Sequence, residues 1–245
     1  MVRNTVFYFT KYLCPLSWLI LTVIAHAIPL NHISYKAASV LPTWFVNDTL
    51  YVVLSREAYG SDKGTYDAFG GSRDPHEHNP LITAARECAE EMISHLTIDL
   101  SPDALVTYLD PTYDATNMVL VNEAIRYVLF ITNFEHFMPA FIARFYTALQ
   151  IATEFKYQEK DSIALVPWDT LETAVRNHET TVCATVFNRY EPSREECTFI
   201  TLRPILSTMM ELLFSDAPYY TPEHEKIRIY PQKGKRYWYQ YLGFR

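Results

Sequence analysis

The sequence predicts a mixed α/β domain, and three observations predict it. Strand-like apolar runs recur from residue 38 to beyond residue 160, segments with helical spacing separate them, and the order never settles into a regular β-α-β repeat. A chain of 245 residues suits one domain with extensions and can bury a substantial core. The hydrophobic share of 49% and charged share of 20% are those of an ordinary globular protein, although 15% aromatic is high.

The first elements are two strands. "ASVLPTWFV" and "DTLYVVLSRE" carry β-branched and aromatic residues on both arms of a turn at Asn47-Asp48, the pattern of a hairpin. "GTYDAFGG" follows as a short extended segment ending at Gly70-Gly71, the one Gly-Gly of a chain with six glycines. Residues 80–95 lack glycine and carry proline only at Pro80, where it suits a first helical turn, so a helix is expected there.

"RYVLFITNF" (126–134) is apolar enough to cross the middle of a sheet. "HFMPAFIARFYTALQIATEF" repeats apolar residues at 137, 141, 145 and 149 and at 138, 142 and 146, a helix with a wide core face. "SIALVPW" is another strand, "DTLETAVRN" a short helix with Asp169 as candidate cap, and "TLRPILSTMMELLF" a later helix.

The two ends differ from the middle. Arg3 and Lys11 precede the apolar run "YLCPLSWLILTVIA", and "AHA" at 25–27 has the form of a processing site; the pattern is that of a signal peptide. An uncleaved membrane anchor and a buried first element are the other readings. The expected organisation is a signal peptide or anchor at 1–27, a domain at 28–215 and a basic, aromatic extension at 216–245, in an exported or membrane-anchored protein. Tyr237, Trp238, Tyr239 and Tyr241 lie among basic residues in that extension, which fits either single-stranded nucleic acid or a terminal strand packed on the core.

The formal net charge of −7 supplies no general attraction to nucleic acid or anionic lipid. Cys88, Cys183 and Cys197 are too few for a disulfide scaffold, so either one bridge between Cys183 and Cys197 or unpaired core thiols are expected. No Gly-rich P-loop, G-x-S-x-G elbow or C-x-x-C pair is present.

What remains is a knot of acids. In "FGGSRDPHEHNPLITAARECAEEM" (69–92), Glu87, Glu90 and Glu91 are spaced to share one helix face. Such a trio is either a solvated acidic face or a hard-oxygen site for Mg²⁺ or Mn²⁺. Arg86 is placed to pair with Glu90 or with Glu77, and Gly70 and Gly71 permit close backbone approach to an ion or phosphate. His76 and His78 flank Glu77 without the third ligand that zinc would need, so they read as loop residues.

This segment resembles the box of the Nudix hydrolases (MutT-like), G-x5-E-x7-R-E-U-x-E-E-x-G-U. Gly71, Glu77 and Arg86-Glu87-Cys88-Ala89-Glu90-Glu91 follow it, with eight residues instead of seven before Arg86 and Ile93 in place of the second glycine. The second departure suggests a helix that runs on past its usual stop. Weaker similarity extends over about residues 36–180.

The resemblance implies an α/β/α sandwich with a mixed β-sheet and hydrolysis of a nucleoside diphosphate linked to another moiety, such as ADP-ribose, a dinucleotide or a nucleotide sugar. It implies Glu87, Glu90, Glu91 and the Gly70 carbonyl as ligands of Mg²⁺ or Mn²⁺, with Gly71, Glu77 and Arg86 holding the box together. Glu159 is the candidate base or extra ligand outside the box, with Glu135 and Glu154 as alternatives. The partner expected is a nucleotide-type small molecule; nucleic acid is not favoured, and a membrane enters only if the first segment stays uncleaved. The alternative functions are a non-catalytic nucleotide- or partner-binding module and an RNA-cap-directed enzyme.

Overall fold

The computed structural model describes residues 30–111, 117–187 and 197–214, and the backbone of 227–231. The proposed signal segment and the aromatic cluster at 237–241 lie outside the described residues, and so does the Cys14 of that segment. Among the described residues ten strands form one sheet, in the order β10-β5-β6-β1-β2-β7-β8-β9, with β3 paired to β2 and β4 to β1. The strands are β1 Ala37–Val46, β2 Thr49–Glu57, β3 Tyr66–Asp67, β4 Phe69–Ser72, β5 Met118–Asn122, β6 Tyr127–Asn133, β7 Lys160–Pro167, β8 Thr181–Phe187, β9 Cys197–Thr201 and β10 Ile227–Pro231. β1 and β6 run parallel while the other pairs are antiparallel, so the sheet is mixed.

Side chains alternate to the two faces, and both faces are covered. Val40, Val53, Val119, Val121, Val128, Phe130, Ile163 and Leu165 point into one core; Leu41, Val52, Leu54, Leu120, Leu129, Ile131, Ala164 and Val166 point into the other. The first core is closed by α1 (Pro80–Glu91), α3 (Pro102–Leu109) and α4 (Met138–Ile151), the second by α5 (Trp168–Arg176) and α6 (Pro204–Phe214). A one-turn helix, α2 (Ser94–Thr97), follows α1. Burial on both faces explains why the strands read as near-continuous apolar runs.

The hairpin is a two-residue turn. Asn47 and Asp48 both have positive φ, 46° and 62°, and Val46 pairs with Thr49, the geometry that matches strand twist. Its arms pair only from 43–46 to 49–52 and then splay. The chain of β3 and β4 fills the wedge: Ser55 and Arg56 of β2 pair with Asp67 and Tyr66, and Ala37–Val40 of β1 pair with Phe69–Ser72. The glycine pair is thereby fixed along the N-terminal half of β1.

Two expectations change. The helix expected over 80–95 stops at Glu91, because Ile93 itself turns left-handed at φ 52° and ψ 47°, doing what a glycine would do. The helix expected to open at Asp169 starts at Trp168, with Pro167 before it and Asp169 in its first turn. Within the stretch expected as a C-terminal extension, Ile227–Pro231 pairs with β5 and adds an edge strand. Cys183 and Cys197 are bonded across β8 and β9, and Cys88 is a buried free thiol. No helix among the described residues is long and apolar enough to cross a membrane.

Candidate functional site

The site is built where α1 crosses β4. Asn79 caps the helix by accepting the Leu81 amide at 3.0 Å, Pro80 occupies its first turn, and Leu81, Ala84, Ala85, Cys88 and Ala89 press it onto the sheet. Small residues on that face let the helix sit close, and its C-terminal half passes over Gly70 and Gly71.

Both glycines sit in tight space, Gly70 against backbone and Gly71 against a side-chain end. A Cβ on Gly70 would lie 2.3 Å from Ser39 Cα, against the backbone of β1; one on Gly71 would lie 2.6 Å from Glu87 Oε2. The Gly70 N–H leaves the sheet to donate to Glu91 Oε2 at 2.7 Å. In an antiparallel ladder a residue whose N–H points away from its partner strand also points its C=O away, so the Gly70 carbonyl leaves along the same edge.

Arg86 ties the box together. Its Nε and Nη2 grip Glu77 at 2.8 and 3.2 Å, Nη1 reaches Glu87 Oε1 at 2.9 Å and Glu90 Oε2 at 3.4 Å, and Nη2 also donates to the Ser72 carbonyl at 3.0 Å. Glu77 further accepts from Thr83 Oγ1 at 2.7 Å and from the Asp74 amide at 3.0 Å. Burial opposes charge on Glu77, but Arg86, Thr83 and the amide outweigh it and hold its carboxyl at about 2. Asp74, His76 and Glu77 lie near enough for a shared ion, yet both Glu77 oxygens are already occupied by Arg86 and its companions.

The three helix carboxylates have different surroundings. Burial pushes the Glu87 carboxyl up to about 7; Arg86 pulls it down, and Glu90 and Glu159 add repulsion. Glu90 is half-buried and meets Lys156 at 3.5 Å. Glu91 is buried, with Oε1 3.1 Å from the ammonium of Lys160 and Oε2 on the Gly70 amide.

Lys160 gave no signal in the sequence beyond its place at the head of an apolar strand. It is 1% exposed and also contacts Glu57 Oε1 at 2.5 Å. A bulge between Arg56 and Glu57 makes this contact: Arg56 pairs with Ser162, but Glu57 pairs with Lys160, skipping Asp161. Without the bulge Glu57 would oppose an aspartate. Arg203, just before α6, extends the network by binding Glu57 at 3.3 Å, Asp67 at 3.0 Å and Asp62 at 2.7 Å.

The candidates outside the box separate. Glu159 is half-buried beside Lys160, and its carboxyl is raised by burial and by Glu57 and Glu90. Glu154 is exposed and pairs with Lys156 at 3.5 Å. Glu135 is exposed just past Asn133, which pairs with Thr43, at the end of β1 remote from Gly71.

The described residues thus form a mixed α/β sandwich with an acid-rich helix seated on a glycine pair. Similar solved structures include the Nudix hydrolase RenU of M. smegmatis (16% identity, 74% of this chain and 84% of that one, TM-score 0.35). They also include a MutT/nudix family protein of Enterococcus faecalis (9%, 80% and 66%, TM-score 0.37) and a NUDIX hydrolase of Alicyclobacillus acidocaldarius (15%, 60% and 85%, TM-score 0.34). No family model and no curated protein matches the chain. The identities and TM-scores are low, so the functional reading stands on the residues of the box.

Proposed function

We propose that this chain is a divalent-metal-dependent hydrolase of the Nudix type that cleaves the pyrophosphate bond of a nucleoside diphosphate linked to another moiety. The observation that carries the reading is the seating of Glu87 on Gly71, in a space that a Cβ would fill, with Glu90 and Glu159 close enough to raise its carboxyl. Carboxylate oxygens in excess of nearby cations, with a backbone carbonyl at the same edge, are the donor set that Mg²⁺ or Mn²⁺ takes.

Glu87, Glu90 and the Gly70 carbonyl would hold the ion. Once bound, it neutralises phosphate oxygens and makes a water more acidic. Arg86 fixes the helix end by bridging Glu77, Glu87 and Glu90. Glu159, whose carboxyl is raised, is suited to take a proton from the attacking water. The apolar, signal-like pattern at 1–27 supports an exported or membrane-anchored enzyme.

The test is turnover by the purified chain on ADP-ribose, dinucleotides and nucleotide sugars in Mg²⁺ or Mn²⁺. Glu87→Gln and Glu90→Gln should each lower the rate by roughly 100-fold while leaving the protein folded. Activity that survives both changes would sink the assignment. Metal-dependent nucleotide binding without turnover would favour a non-catalytic module instead.

A further inference from the structure

Glu91 stands apart from the other two helix carboxylates. It is 4% exposed, and both of its oxygens are engaged, one by the Lys160 ammonium at 3.1 Å and one by the Gly70 amide at 2.7 Å. Both partners are donors, so both oxygens are engaged as acceptors.

The ammonium has no other place to go. Lys160 opens β7 opposite Glu57, its register fixed by the bulge, and at 1% exposure it has no path to solvent. Its ammonium lies 2.5 Å from Glu57 Oε1 and 3.1 Å from Glu91 Oε1, a buried cation between two acids. A divalent ion entering at Glu91 would either face that ammonium across a few ångströms or strip it of one of its two close carboxylates. Leaving a buried charge poorly paired is the costly half of breaking a buried ion pair.

We infer that Lys160 is a built-in cation that takes the place of a divalent ion at the Glu57–Glu91 end of the acid cluster. Glu91 is then a positioning residue: it holds the Gly70 amide, and with it the direction of the Gly70 carbonyl, while bound metal is confined to the Glu87 and Glu90 side. This rests on the proposed reading for the metal at Glu87 and Glu90, but it concerns which carboxylates are left to bind.

Mn²⁺ titration of the metal-free protein, followed by the electron paramagnetic resonance of free Mn²⁺, reads the number of ions bound independently of activity. Glu91→Gln keeps an acceptor for the Gly70 amide, so it should bind as many Mn²⁺ as wild type, with affinity lowered by no more than the roughly tenfold of an indirect change. Lys160→Met removes the ammonium from between Glu57 and Glu91, leaving Glu91 Oε1 without its cation, and should take up one additional Mn²⁺ per chain. Loss of an ion from Glu91→Gln, or an unchanged count in a folded Lys160→Met, overturns the inference. If Lys160→Met fails to fold, the Glu91→Gln arm decides. A wild type that binds no Mn²⁺ overturns the metal reading of Glu87 and Glu90, whereas an ion gained by Lys160→Met in that case upholds the role of Lys160.

Discussion

Gly71 and Glu87 are in contact through an absence: the missing Cβ of one would sit 2.6 Å from Oε2 and 2.7 Å from Cδ of the other. Gly70 is crowded differently, by Ser39 Cα at 2.3 Å. A carboxylate can swing aside and a central strand cannot. Gly70→Ala should therefore lose about 3 kcal/mol or more of stability, as overpacking against backbone does. Gly71→Ala should lose about 1 kcal/mol but weaken Mn²⁺ binding by roughly tenfold, because it displaces Glu87. Thermal melts and Mn²⁺ titrations on both variants separate the two effects; equal melting losses would contradict the contrast.

Two acids of the box should give stability opposite slopes with pH. Glu77 is depressed from 4.5 to about 2, so its contribution of about 3 kcal/mol is complete above pH 4.5 and disappears as pH falls toward 2. Glu87 is raised from 4.5 to about 7, so the folded state holds its proton more tightly than the unfolded chain. The metal-free protein should therefore lose up to about 3 kcal/mol as pH rises from 4.5 to 7. Urea unfolding in chelator across about pH 2 to 8, roughly the span of both titrations, should show the first slope vanish in Glu77→Gln. The second slope should vanish in Glu87→Gln or when Mg²⁺ is added.

Ile93 carries strain that its burial outweighs. It is fully buried against Ala148 and Ala152 yet sits at φ 52°, where a β-branched residue costs about 1–2 kcal/mol. Ile93→Ala removes the packing and keeps most of the strain; Ile93→Gly removes both. Glycine should thus be the less harmful of the two by about 1 kcal/mol, the reverse of the usual order in a helix. Chemical denaturation of the pair is the measurement, and alanine proving the milder change would refute it.

Arg203 should prove a structural cation. It pairs with Asp67, which is 1% exposed, as well as with Asp62 and Glu57. Arg203→Met strands a buried carboxylate and should cost about 3–5 kcal/mol, whereas adding Asp67→Asn to that variant should recover part of the loss. A double variant no more stable than Arg203→Met would show that the cost lies elsewhere.

Much of the frame was legible because its signals are local. The Asn47-Asp48 hairpin, the apolar strand at 127–133, the helix at 138–151, the Pro-led helix at 80 and the body of the helix that ends at 214 are written in periodicity, turn chemistry and capping. The box spacing likewise placed Glu77, Arg86, Glu87, Glu90 and Glu91 in one segment. Ile93 misled for a physical reason: local preference argues against a left-handed isoleucine, and only the pocket formed with α4 makes that conformation affordable.

The sequence by itself therefore determined which acids would gather, since spacing along a helix is an intrinsic property of the chain. Only the tertiary structure decided what each acid meets. The wedge between β1 and β2 brings Gly71 under Glu87, and a bulge at Asp161 of β7 sets Lys160 opposite Glu57, its ammonium on Glu91 although 69 positions separate them. Contacts of that range are set by strand register and burial, which leave no mark on the residues nearby in sequence.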